Sequence, residues 1–99
     1  MTTNVAALER AAEARRNIPK VIRILLAVSD QPARSLGEAL GLSEQSISER
    51  LTGKTRISSD ELAACAVFFR VDEALFYRDP ESIRRGIMTG ATVNGDTVG

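Results

Sequence analysis

Apolar residues along this chain recur at intervals of three and four, with no sustained alternation, so the elements they predict are all helices. Ile18, Val21, Ile22, Leu25, Leu26 and Val28 keep that spacing and predict a core helix over Pro19–Ser29. Pro19 suits its first turn, where a missing N–H costs nothing. Ahead of it, "NVAALERAAEARR" is built from good helix formers, yet its apolar stripe is only Val5, Leu8 and Ala12. That pattern predicts a separate helix, exposed or dependent on a partner.

"SDQPA" breaks the core helix and restarts the next, with Asp30 or Gln31 as a cap and Pro32 at the first helical position. Leu36, Ala39 and Leu40 give this second helix an apolar face, and Gly41 follows where a helix ends with positive φ. Ser43 can cap a third helix through its hydroxyl. That helix runs from Glu44 to about Thr52, turns only Ile47 and Leu51 inward, and ends at Gly53. Ser58 and Glu61 make a capping box for a helix with Leu62, Cys65, Ala66 and Phe69 on its buried side. Asp72 can cap a short helix holding Leu75 and Phe76, and Asp79-Pro80 starts a last one, "ESIRRGIM". The tail "TGATVNGDTVG" has little to bury and is expected to be disordered. The fold class is all-α. Residues 1–17 are an N-terminal helical arm, 18–78 the main domain, and 79–99 a C-terminal helix and tail.

The middle of the chain carries the functional signal. Two short helices joined by Gly41-Leu42-Ser43 form a helix-turn-helix. Gly37 is small where the two helices should approach closely, and Leu42 plugs the turn. Opposite Ile47 and Leu51, the third helix presents Glu44, Gln45, Ser48 and Glu49, with Ser46 near its start. Those residues are poor core material. The major groove of DNA admits one helix, and its base edges offer partners for such side chains. Gln45 can pair both ways with adenine, Glu44 or Glu49 can accept from the amino group of cytosine, and Ser48 can serve either.

Charge adds to this picture through its distribution. The formal net charge is zero, which argues against a generic polyanion binder. Residues 15–56, however, hold Arg15, Arg16, Lys20, Arg23, Arg34, Arg50, Lys54 and Arg56 against Asp30, Glu38, Glu44 and Glu49. The basic excess coincides with the two-helix unit, and the remainder is acidic. Candidates for phosphate contact are Arg34, Arg50, Lys54 and Arg56, with Arg15, Arg16 and Lys20 as arm contacts. For each of these the alternative is a solvated surface charge.

Composition closes other routes. Histidine is absent and cysteine occurs once, so neither a zinc site nor histidine general-base chemistry can be built. No glycine-rich phosphate loop or nucleophile beside a base occurs, and an enzyme is not expected. No cofactor is expected either. A lone Cys65 fits a reducing cytoplasm and reads as a small core residue. The N-terminus lacks the apolar core of a signal peptide, and no apolar run approaches the roughly 20 residues of a membrane span. A cytoplasmic protein with no membrane contact is expected.

Residues from about Ile18 to Tyr77 resemble the phage repressor/Cro type of helix-turn-helix domain, the XRE family. The likeness runs through "SLGEALGLSEQSISERLTGK" and "ISSDELAACAVFFRVDEALFY". It implies a compact five-helix bundle, here with an extra N-terminal helix and a short C-terminal helix. It also implies a third helix in the major groove, commonly in a dimer on an inverted repeat. By that resemblance Glu44, Gln45, Ser48 and Glu49 fall at base-reading positions. Ser46, Thr52, Lys54, Thr55 and Arg56 fall where family members touch phosphate or a flanking base. The sequence departs from the family pattern at Ala33, where a phosphate-contacting Gln is common, and at Arg50, where a bulky apolar residue is common. Two acids in the recognition helix are a third departure. The expected function is a double-stranded DNA-binding transcriptional regulator, a homodimeric phage-type repressor or Cro-like protein. The alternative is an antitoxin-type protein that holds a toxin partner through residues 1–17 or 80–88.

Overall fold

The computed structural model describes residues 2–88, and the expectation of a disordered tail concerns residues outside that range. The helices are α1 (Thr2–Val28), α2 (Ala33–Leu40), α3 (Glu44–Thr52), α4 (Ser59–Phe69), a 3-10 helix (Glu73–Tyr77) and α5 (Pro80–Met88). No strand occurs among the described residues. The all-α class stands.

Pro19 does not divide two helices. It lies inside one continuous 27-residue α1, so the expected boundary between residues 17 and 18 falls within a helix. A proline inside a helix removes a donor and crowds the carbonyl four residues back, at about 3 kcal/mol. Around it, Ile18 is 5% exposed, and Val21 and Ile22 are completely buried. Each buried aliphatic side chain contributes about 1.5–3 kcal/mol, so together they outweigh the proline. The exposed first half then extends a helix that already exists and bears no nucleation cost of its own.

α1 ends at Asp30, whose φ of 58° turns the chain left-handed. The Ser29 N–H donates to the Leu25 carbonyl and the Gln31 N–H to the Leu26 carbonyl, both at 2.9 Å. Asp tolerates this conformation better than most residues. Neither Asp30 nor Gln31 therefore caps α2. Pro32 stands at its N-cap, one position earlier than expected, with no side-chain cap.

The core joins Ile18, Val21, Ile22, Leu25 and Leu26 of α1 to Leu36, Ile47 and Leu51 of the two-helix unit. Leu62, Cys65, Ala66, Leu75, Phe76 and Ile83 close it from the other side. Phe76 is the largest fully buried side chain, and its 3-10 helix lies against α1. Burial pushes the Cys65 thiol up to about 11, consistent with an inert core residue. Two expected core positions are exposed. Val28 is 54% exposed, one turn beyond the half-buried Ile24. Ala39 is exposed because α2 turns the buried Leu36 and Gly37 and the half-buried Leu40 inward, which leaves Ala39 on the solvent side.

At the α2–α3 crossing, a Cβ on Gly37 would stand 3.2 Å from Ile47 Cγ2 and 3.3 Å from the Leu42 carbonyl oxygen. Gly37→Leu is therefore expected to destabilise the fold by about 1–3 kcal/mol in urea unfolding, the usual range for overpacking.

Candidate nucleic-acid interface

The turn between α2 and α3 is closed by its own hydrogen bonds. Gly41 takes φ 73°, its N–H donates to the Glu38 carbonyl at 3.2 Å, and the Leu42 N–H donates to the Gly37 carbonyl at 2.8 Å. A side chain with a Cβ would be strained at that φ. Ser43 then caps α3, its Oγ accepting from the Ser46 N–H at 3.1 Å, and donates to Ser46 Oγ at 3.1 Å. With the turn fixed, Ile47 and Leu51 point into the core and the opposite side of α3 faces solvent.

On that outer side Glu44, Gln45 and Ser48 are exposed, whereas Glu49 is half-buried. Gln45 Nε2 donates to Glu49 Oε2 at 3.3 Å, and Thr55 Oγ1 donates to Glu49 Oε1 at 3.5 Å. The Glu49 carbonyl accepts from Thr52 Oγ1 at 3.2 Å and from the Thr55 N–H at 3.1 Å. Glu49 thus ties the end of α3 to the following loop, and its carboxylate is shared between Gln45 and Thr55. Those four residues form one cluster. Arg34 approaches Glu44 at 3.9 Å with both side chains largely exposed, a pair of little energetic weight.

Arg50 departs most from expectation. Its Nε and Nη2 donate to the two carboxylate oxygens of Glu61 at 3.1 and 3.3 Å, and its Nη1 donates to the Ser46 carbonyl at 3.1 Å. The two side chains are 18% and 19% exposed. Arg50, a candidate for phosphate contact, is thus engaged by groups within the protein. Its planar fork matches a carboxylate in a partly dehydrated site, and all three nitrogens are engaged within the protein. Glu61 Oε1 also accepts from the Ser58 N–H at 3.1 Å, so a single carboxylate bolts α3 to the start of α4. The Arg50 hydrogen bonds lower the Glu61 pKa, partial burial opposes them, and the Ser58 N–H adds to the lowering.

Arg23 supplies a second bolt that the sequence pattern does not reveal. Its Nη1 donates to the Leu51 carbonyl at the end of α3, where a cation also complements the helix dipole. In sequence, Arg23 reads only as one more cation of the basic segment 15–56. Arg50 and Glu61 lie eleven residues apart on different helices, a separation no local periodicity encodes.

Of the other candidate cations, all but Arg34 sit around the end of α3. Lys54 and Arg56 are exposed in the loop after it. Arg15, Arg16 and Lys20 of α1 share with Arg56 the lining of one open cleft between α1 and that loop. Arg34 is exposed at the start of α2. Among the described residues, no group of three or more His, Cys, Asp or Glu side chains stands together that could hold a metal ion. No described helix is long and apolar enough to cross a membrane.

A short scaffold helix, a three-residue turn, and a second helix with a buried seam and a polar outer face define a helix-turn-helix protein. Residues 32–76 match the family model described as Helix-turn-helix, and the chain carries a DNA-binding domain of its Cro/XRE type. That match supports a DNA-binding transcription regulator of the same type. Neither the curated proteins nor the solved structures contain a match to the chain.

The Arg50–Glu61 bolt has a pH signature. Because folding lowers the Glu61 pKa, its stabilisation is complete above the ordinary value of 4.5 and is lost as pH falls through the lower folded value. Glu61→Gln is expected to lower stability by about 1–3 kcal/mol at neutral pH. In urea titrations at decreasing pH, its gap from wild type should close below 4.5; a gap that persists in acid would contradict this assignment.

Proposed function

We propose that the chain is a sequence-specific repressor or Cro-like regulator that binds operator half-sites as a dimer, with α3 in the major groove. One observation carries this reading. α3 is fastened to α1 by Arg23, to α4 by Arg50–Glu61 and to α2 at Gly37, while its polar side is left to solvent. A helix held on every inner side and polar on the outer one is shaped for edge recognition.

In this reading Gln45 and Ser48 read base edges directly. Glu44 accepts from cytosine, and Glu49 holds the Gln45 amide in place and contributes an acceptor beside it. Arg34, Lys54 and Arg56 contact phosphates, with Ser46, Thr52 and Thr55 as shorter polar contacts beside them. Arg15, Arg16 and Lys20 approach the backbone from α1. Residues 18–78 form the DNA-binding unit, and one of the flanks supplies the dimer contacts. A single domain on one half-site binds weakly, which favours the dimer.

The antitoxin-type reading draws on a different observation. Val5 is 56% and Leu8 70% exposed on the first half of α1, an apolar stripe that DNA recognition does not use.

Two substitutions separate reading from attraction. Gln45→Ala is expected to weaken binding to the protein's selected site by about 1–3 kcal/mol and to spare random duplex. Equal losses on both duplexes in a fluorescence anisotropy titration would remove Gln45 from the base-reading face. Lys54→Ala is expected to reduce the slope of log affinity against log salt by about 0.9, the contribution of one phosphate. An unchanged slope would remove Lys54 from the phosphate contacts.

A further inference from the structure

Along one side of α1, Val5, Leu8, Ala12, Pro19 and Arg23 follow at helical spacing, with Arg15 and Arg16 between Ala12 and Pro19. This face leads into the cleft between α1 and the segment after α3, a space of about 490 Å³. Ala12, Ile18, Pro19 and Ile57 give the cleft apolar surface. Arg15, Arg16, Lys20 and Arg56 supply its free cations, and no carboxylate of the described residues lines it. Arg23 and Arg50 also border it, but their guanidinium groups are already bonded to Leu51 and Glu61.

The mixture identifies the occupant. A DNA backbone would use the cations, yet it has no use for the apolar floor or for Val5 and Leu8. A second copy of this chain presenting the same face brings the same cationic rim, and its Glu9 and Glu13 lie on the exposed stretch of α1 and not among the residues that line the cleft. An acidic amphipathic helix satisfies both halves, with apolar side chains along the stripe and carboxylates against the arginines. From Val5 to Pro19 the stripe is about 21 Å long, room for four helical turns.

We propose that this α1 face and cleft form a docking site for an acidic amphipathic helix of a protein partner, and that the docked helix competes with duplex DNA. The competition rests on the DNA reading above, since Arg15, Arg16, Lys20, Thr52, Thr55 and Arg56 belong to both surfaces. The docking itself does not.

The test uses the full chain and a fluorescein-labelled peptide of about 16 residues, with leucines at intervals of three and four and glutamates elsewhere, spanning the stripe. An oligoglutamate of equal length is the control. Fluorescence anisotropy without DNA is expected to show saturable binding of the amphipathic peptide, at least about tenfold tighter than oligoglutamate. Leu8→Glu and Arg16→Glu should each weaken it by about tenfold, and both residues are exposed, so thermal unfolding should not change. In a second arm, added peptide should displace a bound duplex.

Absence of binding, equal affinity for oligoglutamate, or indifference to Leu8→Glu would overturn the proposal. So would sedimentation showing that Leu8→Glu dissociates a dimer, which would give the face to a second copy. If Arg16→Glu weakens duplex binding while the peptide does not bind, the cleft belongs to the DNA backbone. Because the first arm contains no DNA, its failure leaves the α3 reading intact, and failure of DNA binding leaves the docking measurable.

Discussion

The approach of α2 to α3 at Gly37 is the constraint from which the rest of the interface follows. Only a residue without a Cβ leaves Ile47 and the Leu42 carbonyl their ordinary contact distances. With the crossing this close, Ile47 and Leu51 reach the core formed by α1 and α4, and a two-residue seam is enough to seat a nine-residue helix. Gly41, in its left-handed turn, and Ser43, capping through its hydroxyl, fix the direction in which α3 leaves the turn. The orientation of the polar face is therefore set by three small residues of the turn and crossing, none of which lies on that face.

A seam of two side chains is thin, and the hydrogen-bonded bolts compensate for it. Arg23 satisfies a carbonyl at the end of α3 that has no partner inside the helix, and Arg50 with Glu61 fastens the same helix to α4. Both arginines act inside the protein although they lie in its most basic segment. This separates two kinds of cation that a charge map merges: those that hold the recognition helix, and those left exposed around its end. Lys54 and Arg56 belong to the second kind. It also relieves the outer residues of any packing duty, so Gln45 and Ser48 can vary with the sequence to be read at little cost to stability.

Much of this was legible in the sequence because it is local. The glycine turn, the Ser43 cap, the Ser58–Glu61 box, the Ile47–Leu51 pair and the Asp72 cap each lie within a few residues and appear where their spacing indicates. What was not legible is tertiary. Pro19 reads as a boundary by its own chemistry, and only the burial of Ile18, Val21 and Ile22 around it carries the helix through. Asp30 reads as a cap for α2 because its side chain suits one; its backbone instead closes α1. Arg50 reads as a phosphate ligand until Glu61, already explained as half of a capping box, proves to face it from the next helix.

Selection from a pool of random duplexes by the purified chain asks whether the outer face of α3 reads DNA as sequence. The expected result is enrichment of one short motif, arranged as an inverted repeat whose half-sites lie about 34 Å, one helical turn, or a multiple of it apart. Retention of the pool at low salt without any enriched motif would contradict it, leaving a basic surface that binds phosphates and a polar helix face that reads nothing.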